Sequence, residues 1–150
     1  MGGVIVVGVD HSPGARAALN FALEEARLRQ AALRVVHAWQ FGYIGATGME
    51  GLLPAVGGEL RDFRDAAEVA LDATLEDAHA EKGDVKIERR VVEGAPAAVL
   101  VEESRDADLL VVGSRGLGGF AQLLLGSVSQ QCAHYAECPV VIVRPRPDTE

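Results

Sequence analysis

Basic residues are scarce in this chain: 14 lysines and arginines stand against 22 aspartates and glutamates, for a net charge of −8. That balance argues against nucleic acid as a partner drawn in by bulk charge. It leaves room for a phosphate ligand, because backbone N–H groups act at short range. Cysteine is nearly absent. Cys132 and Cys138 make no disulfide framework, and their spacing fits no zinc pattern. They read as reduced thiols of a cytosolic protein. The four histidines are scattered, none of them four residues from another. A metal cluster is therefore not expected. No apolar run approaches the ~18 residues a membrane span needs. Met1-Gly2-Gly3 leads straight into a strand-like run with no basic segment before it. No signal peptide is expected, and the expected location is the cytoplasm.

With 150 residues, 49% hydrophobic and 24% charged, the chain suits one globular domain over 1–150. The tail from 145 to 150 contains Pro145 and Pro147 and reads as loose. Val4 to Val9 is an apolar run broken only by Gly8, as in a strand buried on both faces. Ser12-Pro13 reads as a helix cap followed by proline at the first helical position. The helix then runs to about Gln30, with Ala18, Leu19, Ala22, Leu23 and Ala26 on one stripe. Leu33 to Trp39 is a second strand, and a long glycine-rich loop spans 40–57. Glu59 to Glu81 is a long amphipathic helix, stopped by Lys82-Gly83. Val85 to Val92 alternates like an exposed edge strand. Pro96 opens a helix through about Ser104, and Asp108 to Val112 is the fourth strand. A helix follows from near Ser127 to Ala136, and Pro139 to Val143 is the fifth strand. Strands separated by helices imply parallel pairing with right-handed crossovers.

After the fourth strand comes Gly113-Ser114-Arg115-Gly116-Leu117-Gly118-Gly119, and later Gly126-Ser127-Val128-Ser129. Glycines permit turns in which successive N–H groups point inward and form an anion nest. The second segment sits at a helix start, where free N–H groups suit a phosphate. If strands one and four flank the point where strand order reverses, one crevice collects Asp10, Ala38 and this loop. An acid beside a phosphate nest makes sense as an acceptor for a ribose hydroxyl or a base amine. A nucleotide accounts for both features. The P-loop pattern is absent, so no lysine is supplied to the β- and γ-phosphates. Gly116-x-Gly118-x-x-Ala121 matches a dinucleotide fingerprint only loosely and follows the wrong strand. A ligand-free glycine turn is the competing reading of the loop alone. Arg115 either reaches a phosphate or faces water. His11 reads as a turn residue, His37 as a satisfied core histidine, Ser12 as the helix cap and Trp39 as packing.

Gly113-x2-Gly116-x9-Gly126-Ser127 resembles the spaced glycine motif of the universal stress protein family. So do Val7-Gly8-Val9-Asp10-His11-Ser12, Val35-Val36-His37-Ala38-Trp39 and Cys138-Pro139-Val140-Val141-Ile142-Val143. The resemblance covers nearly the whole chain. It implies a Rossmann-like α/β fold of the adenine nucleotide alpha hydrolase type. That fold is a three-layer sandwich around a five-stranded parallel sheet of order 3-2-1-4-5. It also implies the ATP-binding branch, acting as a nucleotide-dependent regulator or sensor of stress with at most slow hydrolysis. By resemblance Asp10 contacts the adenosine part, with Val9 beside it, and the Ala38 backbone reads the adenine edge. Val112, Gly113, Arg115, Gly116, Gly126, Ser127, Val128 and Ser129 surround ribose and phosphates. A divalent ion such as magnesium would bridge the phosphates, with no dedicated carboxylate cage evident in the sequence. No catalytic residue is assigned, because no general base stands at a γ-phosphate. Two rival readings stand beside this one: a dimeric interaction module without nucleotide, and an ATP hydrolase or nucleotidyl-transfer enzyme.

Val140, Val141, Ile142 and Val143 are apolar at every position. In the 3-2-1-4-5 order they form an edge, and edges are normally blunted by charge or bulges. Pairing with the same strand of a second chain is therefore expected, as a two-fold homodimer.

Overall fold

Short apolar runs bounded by turn residues become the strands, and the amphipathic stretches between them become the crossover helices. The computed structural model describes residues 2–10, 12–40, 60–78, 80, 83–114 and 125–145. In chain order the elements are β1 (Val4–Gly8), α1 (Pro13–Arg29), β2 (Ala32–Trp39), α2 (Leu60–Asp77), β3 (Ile87–Glu93), α3 (Pro96–Glu103), β4 (Leu109–Gly113), α4 (Ser127–Tyr135) and β5 (Val140–Val143). The strands form one sheet of order β3-β2-β1-β4-β5, parallel at every pairing. Val7 lies opposite Val35 on one side and Val111 on the other. The loop expected over 40–57 lies outside the described residues except for Gln40, as does the end of the tail.

Strand alternation sorts the core into two layers. Ile5, Val7, Leu33, Val35, Leu109 and Val111 face the α1 stripe together with Leu71 and Leu75 of α2. Val6, Val36, Leu110 and Val112 face Val99 and Leu100 of α3 and Cys132 of α4. This is the three-layer sandwich. α1 starts where Ser12 and Pro13 predict, with Ser12 Oγ accepting the Ala15 N–H at 3.1 Å.

α2 ends at Asp77, four residues before Glu81. The apolar period misleads here, because Ala78 and Ala80 still pack on the core after the helix has stopped. Arg16, from the first turns of α1, donates its Nη2 to the Asp77 carbonyl at 2.6 Å and caps the end. A tertiary contact thus replaces the stop expected from Lys82-Gly83.

The two sheet edges differ. On β3, Arg89 pairs with Asp72, and Arg90 makes a two-pronged contact with Glu103 at 3.0 and 2.8 Å. β5 carries no charge and is half-buried throughout.

At Gly113 the end of β4 passes under the first turn of α1. A Cβ there would lie 2.9 Å from both the carbonyl carbon and oxygen of Gly14. Backbone rather than a flexible side chain bounds that space. Gly113→Ala is expected to lower the unfolding free energy by about 1–3 kcal/mol, read from urea denaturation. Gly83→Ala, whose Cβ would meet only the Arg27 guanidinium at 3.4 Å, is the near-neutral control.

Candidate functional site

Chain order reverses between β1 and β4, and the crevice beyond their carboxyl ends is the natural ligand position in such a sheet. Asp10 forms one wall. Its Oδ1 accepts the Ser12 N–H at 3.1 Å and the Ser12 hydroxyl at 2.6 Å. Ser12 Oγ in turn accepts from Ala15 N–H. Asp10 is thus held in one orientation by the start of α1, whose positive end favours a carboxylate there. Among the described residues its Oδ2 has no hydrogen bond, which leaves an acceptor free.

Ala38 stands at the end of β2, half-buried. The β1–β2 ladder has its last backbone bond from Val9 N–H to the Val36 carbonyl, 3.0 Å. By alternation, the N–H and C=O of Ala38 turn toward β1. The Val9 carbonyl is met instead by His37 Nδ1 at 3.0 Å, so that nitrogen carries the proton. His37 is buried, 7% exposed. Burial holds its imidazole below the ordinary 6.5, against the Val9 carbonyl and the Asp10 charge, which pull it up. Trp39 packs with Phe63 and Ala67, as its packing reading requires.

The glycine motif forms the other wall. Ser114 N–H continues the sheet to the Val143 carbonyl at 2.9 Å. Its own carbonyl accepts the Gly126 N–H at 2.6 Å. Ser129 Oγ lies 3.0 Å from both the Ser114 and the Gly126 carbonyls and donates to them in alternation. The start of α4 is thereby stitched to the end of β4. Gly126 caps α4 with φ −77° and no side-chain bond. The first N–H groups of α4 therefore have no side-chain cap, the situation that suits an anion.

These contacts change the roles read from the sequence. Neither Gly113 nor Gly126 adopts a positive φ. Gly113 is needed for room beneath Gly14, not for a left-handed turn. Of the two serine hydroxyls only that of Ser127 is exposed. Ser129 is 2% exposed and its hydroxyl is engaged internally. Val9 and Val112 are buried at the two strand ends, and Val128 is half-buried. Arg115, Gly116 and His11 lie outside the described residues. Ser114 Oγ is buried without a hydrogen-bond partner, a feature sequence reasoning missed. Its place just after Gly113, on the alternate face, was the available signal.

Among the described residues no group of three His, Cys, Asp or Glu side chains is placed to hold a metal. Both cysteines are free. Burial pushes the Cys132 thiol up to about 11 and raises Cys138 as well, so neither is an activated nucleophile. No helix among the described residues is long and apolar enough to cross a membrane.

A model of the universal stress protein family matches residues 1–144. A universal stress protein of Mycolicibacterium smegmatis is 37% identical over 142 residues, which is 95% of this chain and 46% of that protein. The chain thus spans about half the length of the curated relatives it matches. Among solved structures, a universal stress protein in complex with cAMP superposes with a TM-score of 0.66 at 31% identity, covering 96% of this chain and 98% of that one. The universal stress protein of Archaeoglobus fulgidus in complex with dAMP gives 0.60 at 27% identity, covering 92% and 94%.

His37 makes stability depend on pH. The unfolded chain takes up a proton near the ordinary 6.5, whereas the folded chain resists it. The unfolded state therefore gains as pH falls below 6.5, and stability declines until the folded-state value is passed. The melting temperature of wild type is expected to fall relative to that of His37→Asn between pH 7 and 5.5. Parallel curves for the two proteins would contradict this.

Proposed function

The chain belongs to the universal stress protein family, and from that premise we propose that it binds an adenine nucleotide, ATP foremost, in the crevice between β1 and β4. One observation carries the reading. Asp10, a fixed carboxylate with a free oxygen, stands just past the end of β1, and the uncapped start of α4 is tied to the end of β4, the neighbouring strand across the reversal. An acceptor on one side and backbone donors on the other match a nucleoside joined to phosphates. The cAMP and dAMP complexes of the two neighbours support the same ligand class.

In this reading Asp10 accepts from the ribose or the base. The N–H and C=O of Ala38 meet the adenine edge, with Val9 and Val112 walling the crevice. Gly113, Gly126, Ser127, Val128 and Ser129 offer backbone N–H groups to ribose and phosphates, and Arg115 and Gly116 complete that end. Magnesium, when bound, neutralises phosphate charge. Among the described residues, the exposed Ser127 hydroxyl at the start of α4 is an oxygen that would serve such a role. Asp10 stands at the nucleoside end, so it is no base for water attack on a γ-phosphate. The protein acts as a nucleotide-dependent stress regulator in a reducing cytoplasm, with at most slow hydrolysis.

We also assign the β5 edge to a homodimer. β3 is blunted by Arg89 and Arg90, whereas Val140, Val141, Ile142 and Val143 present an uncharged edge.

Protein denatured after purification is expected to release an adenine nucleotide. ATP with magnesium at a hundredfold excess over Kd is expected to stabilise the fold by about 2.7 kcal/mol, read as a thermal shift. Asp10→Ala and Gly116→Val are expected to lose both effects. If both variants keep wild-type nucleotide content, the site is misplaced. In light scattering, Val141→Lys and Ile142→Lys are expected to halve the mass of a wild-type dimer; unchanged mass would refute edge pairing.

A further inference from the structure

His37 occupies an unusual place for a core side chain. Parallel strands bond in alternation: Gly8 lies opposite Val36, and Val9 N–H donates to the Val36 carbonyl. The next bond of that series would run from Ala38 N–H to the Val9 carbonyl. Among the described residues that bond is not made. The carbonyl faces His37 Nδ1 at 3.0 Å instead. The imidazole side chain has taken the acceptor that the ladder would have used.

We propose that His37 is a positioning residue which ends the β1–β2 ladder one bond early and so leaves the Ala38 amide available to a purine edge. This inference rests on the nucleotide reading and adds to it a cause for base selectivity. An N–H donor next to a C=O acceptor complements the ring nitrogen and exocyclic amine of adenine. The same pair opposes guanine, whose ring N–H and carbonyl are arranged the other way round. Without the Nδ1–H, the Val9 carbonyl would be buried with one fewer donor, and Ala38 N–H is the nearest group able to replace it. The ladder would then close by one bond across the base end of the crevice. The start of α4 is held through Gly126 and Ser129 to the Ser114 carbonyl, not through the Val9 carbonyl, and would be left intact.

The test compares wild type with His37→Phe, which keeps a ring but no donor, and His37→Asn, whose side-chain N–H reaches a similar position. His37→Leu serves as a second donor-free variant if His37→Phe does not fold. Two measurements are made: hydrogen exchange of the Ala38 amide without nucleotide, and calorimetric affinities for ATP, GTP and inorganic tripolyphosphate. In His37→Phe the Ala38 amide is expected to become more protected. Its ATP affinity is expected to fall about tenfold, with the ATP-to-GTP ratio shrinking and tripolyphosphate changing less than about twofold. His37→Asn is expected to stay within about threefold of wild type for ATP. Unchanged exchange at Ala38 in the donor-free variants, or equal weakening of ATP and tripolyphosphate, would overturn the inference. A wild-type protein that binds no ATP would overturn the nucleotide reading instead, and the Ala38 exchange would still decide whether His37 holds the strands apart.

Discussion

The contact between Gly113 and Gly14 is the constraint on which the rest depends. Two backbones meet there with no room for a Cβ. That approach sets the first turn of α1 directly over the end of β4, at the point where the sheet reverses its order. The cap of that same turn is Ser12, and Ser12 holds Asp10. One residue past Gly113, the Ser114 carbonyl holds the start of α4 through Gly126 and Ser129. Both walls of the crevice therefore hang from one close contact. A shift at Gly113 would be felt at the carboxylate on one side and at the α4 donors on the other.

Much of this was legible in the sequence. Apolar runs placed the strands because a parallel sheet covered on both faces needs continuous apolar residues. Ser12-Pro13 placed the start of α1 because capping is local chemistry. The end of α2 was not legible. Its apolar stripe runs on through Ala78 and Ala80, and its cap comes from Arg16, 61 residues away in the chain. No local signal marks such a stop.

At Gly113 the need for glycine differs from the one the sequence suggests. Sequence alone suggests glycine for its backbone freedom, whereas the fold needs Gly113 for lack of bulk. Ser129 shows the same limit. A hydroxyl at a helix start looks like a ligand donor, yet this one is engaged by two main-chain carbonyls. His37 was read as a satisfied core residue, and it is one. What periodicity could not show is that its partner is the carbonyl at which the β1–β2 ladder stops.

The distribution of charge fits a site built from backbone. The chain carries −8 overall, so an anion approaches against the net field. Several guanidinium groups among the described residues are engaged elsewhere: Arg34 with Glu88 and Asp106, Arg89 with Asp72, Arg90 with Glu103, and Arg16 on the Asp77 carbonyl. What α4 offers at its start is a set of N–H groups with no side-chain cap. Such donors act only at contact range, so an acidic protein can present them without attracting polyanions. They also do not titrate. A pH response near neutrality at the ends of β1 and β2 rests on His37, a buried imidazole bonded to the carbonyl of Val9.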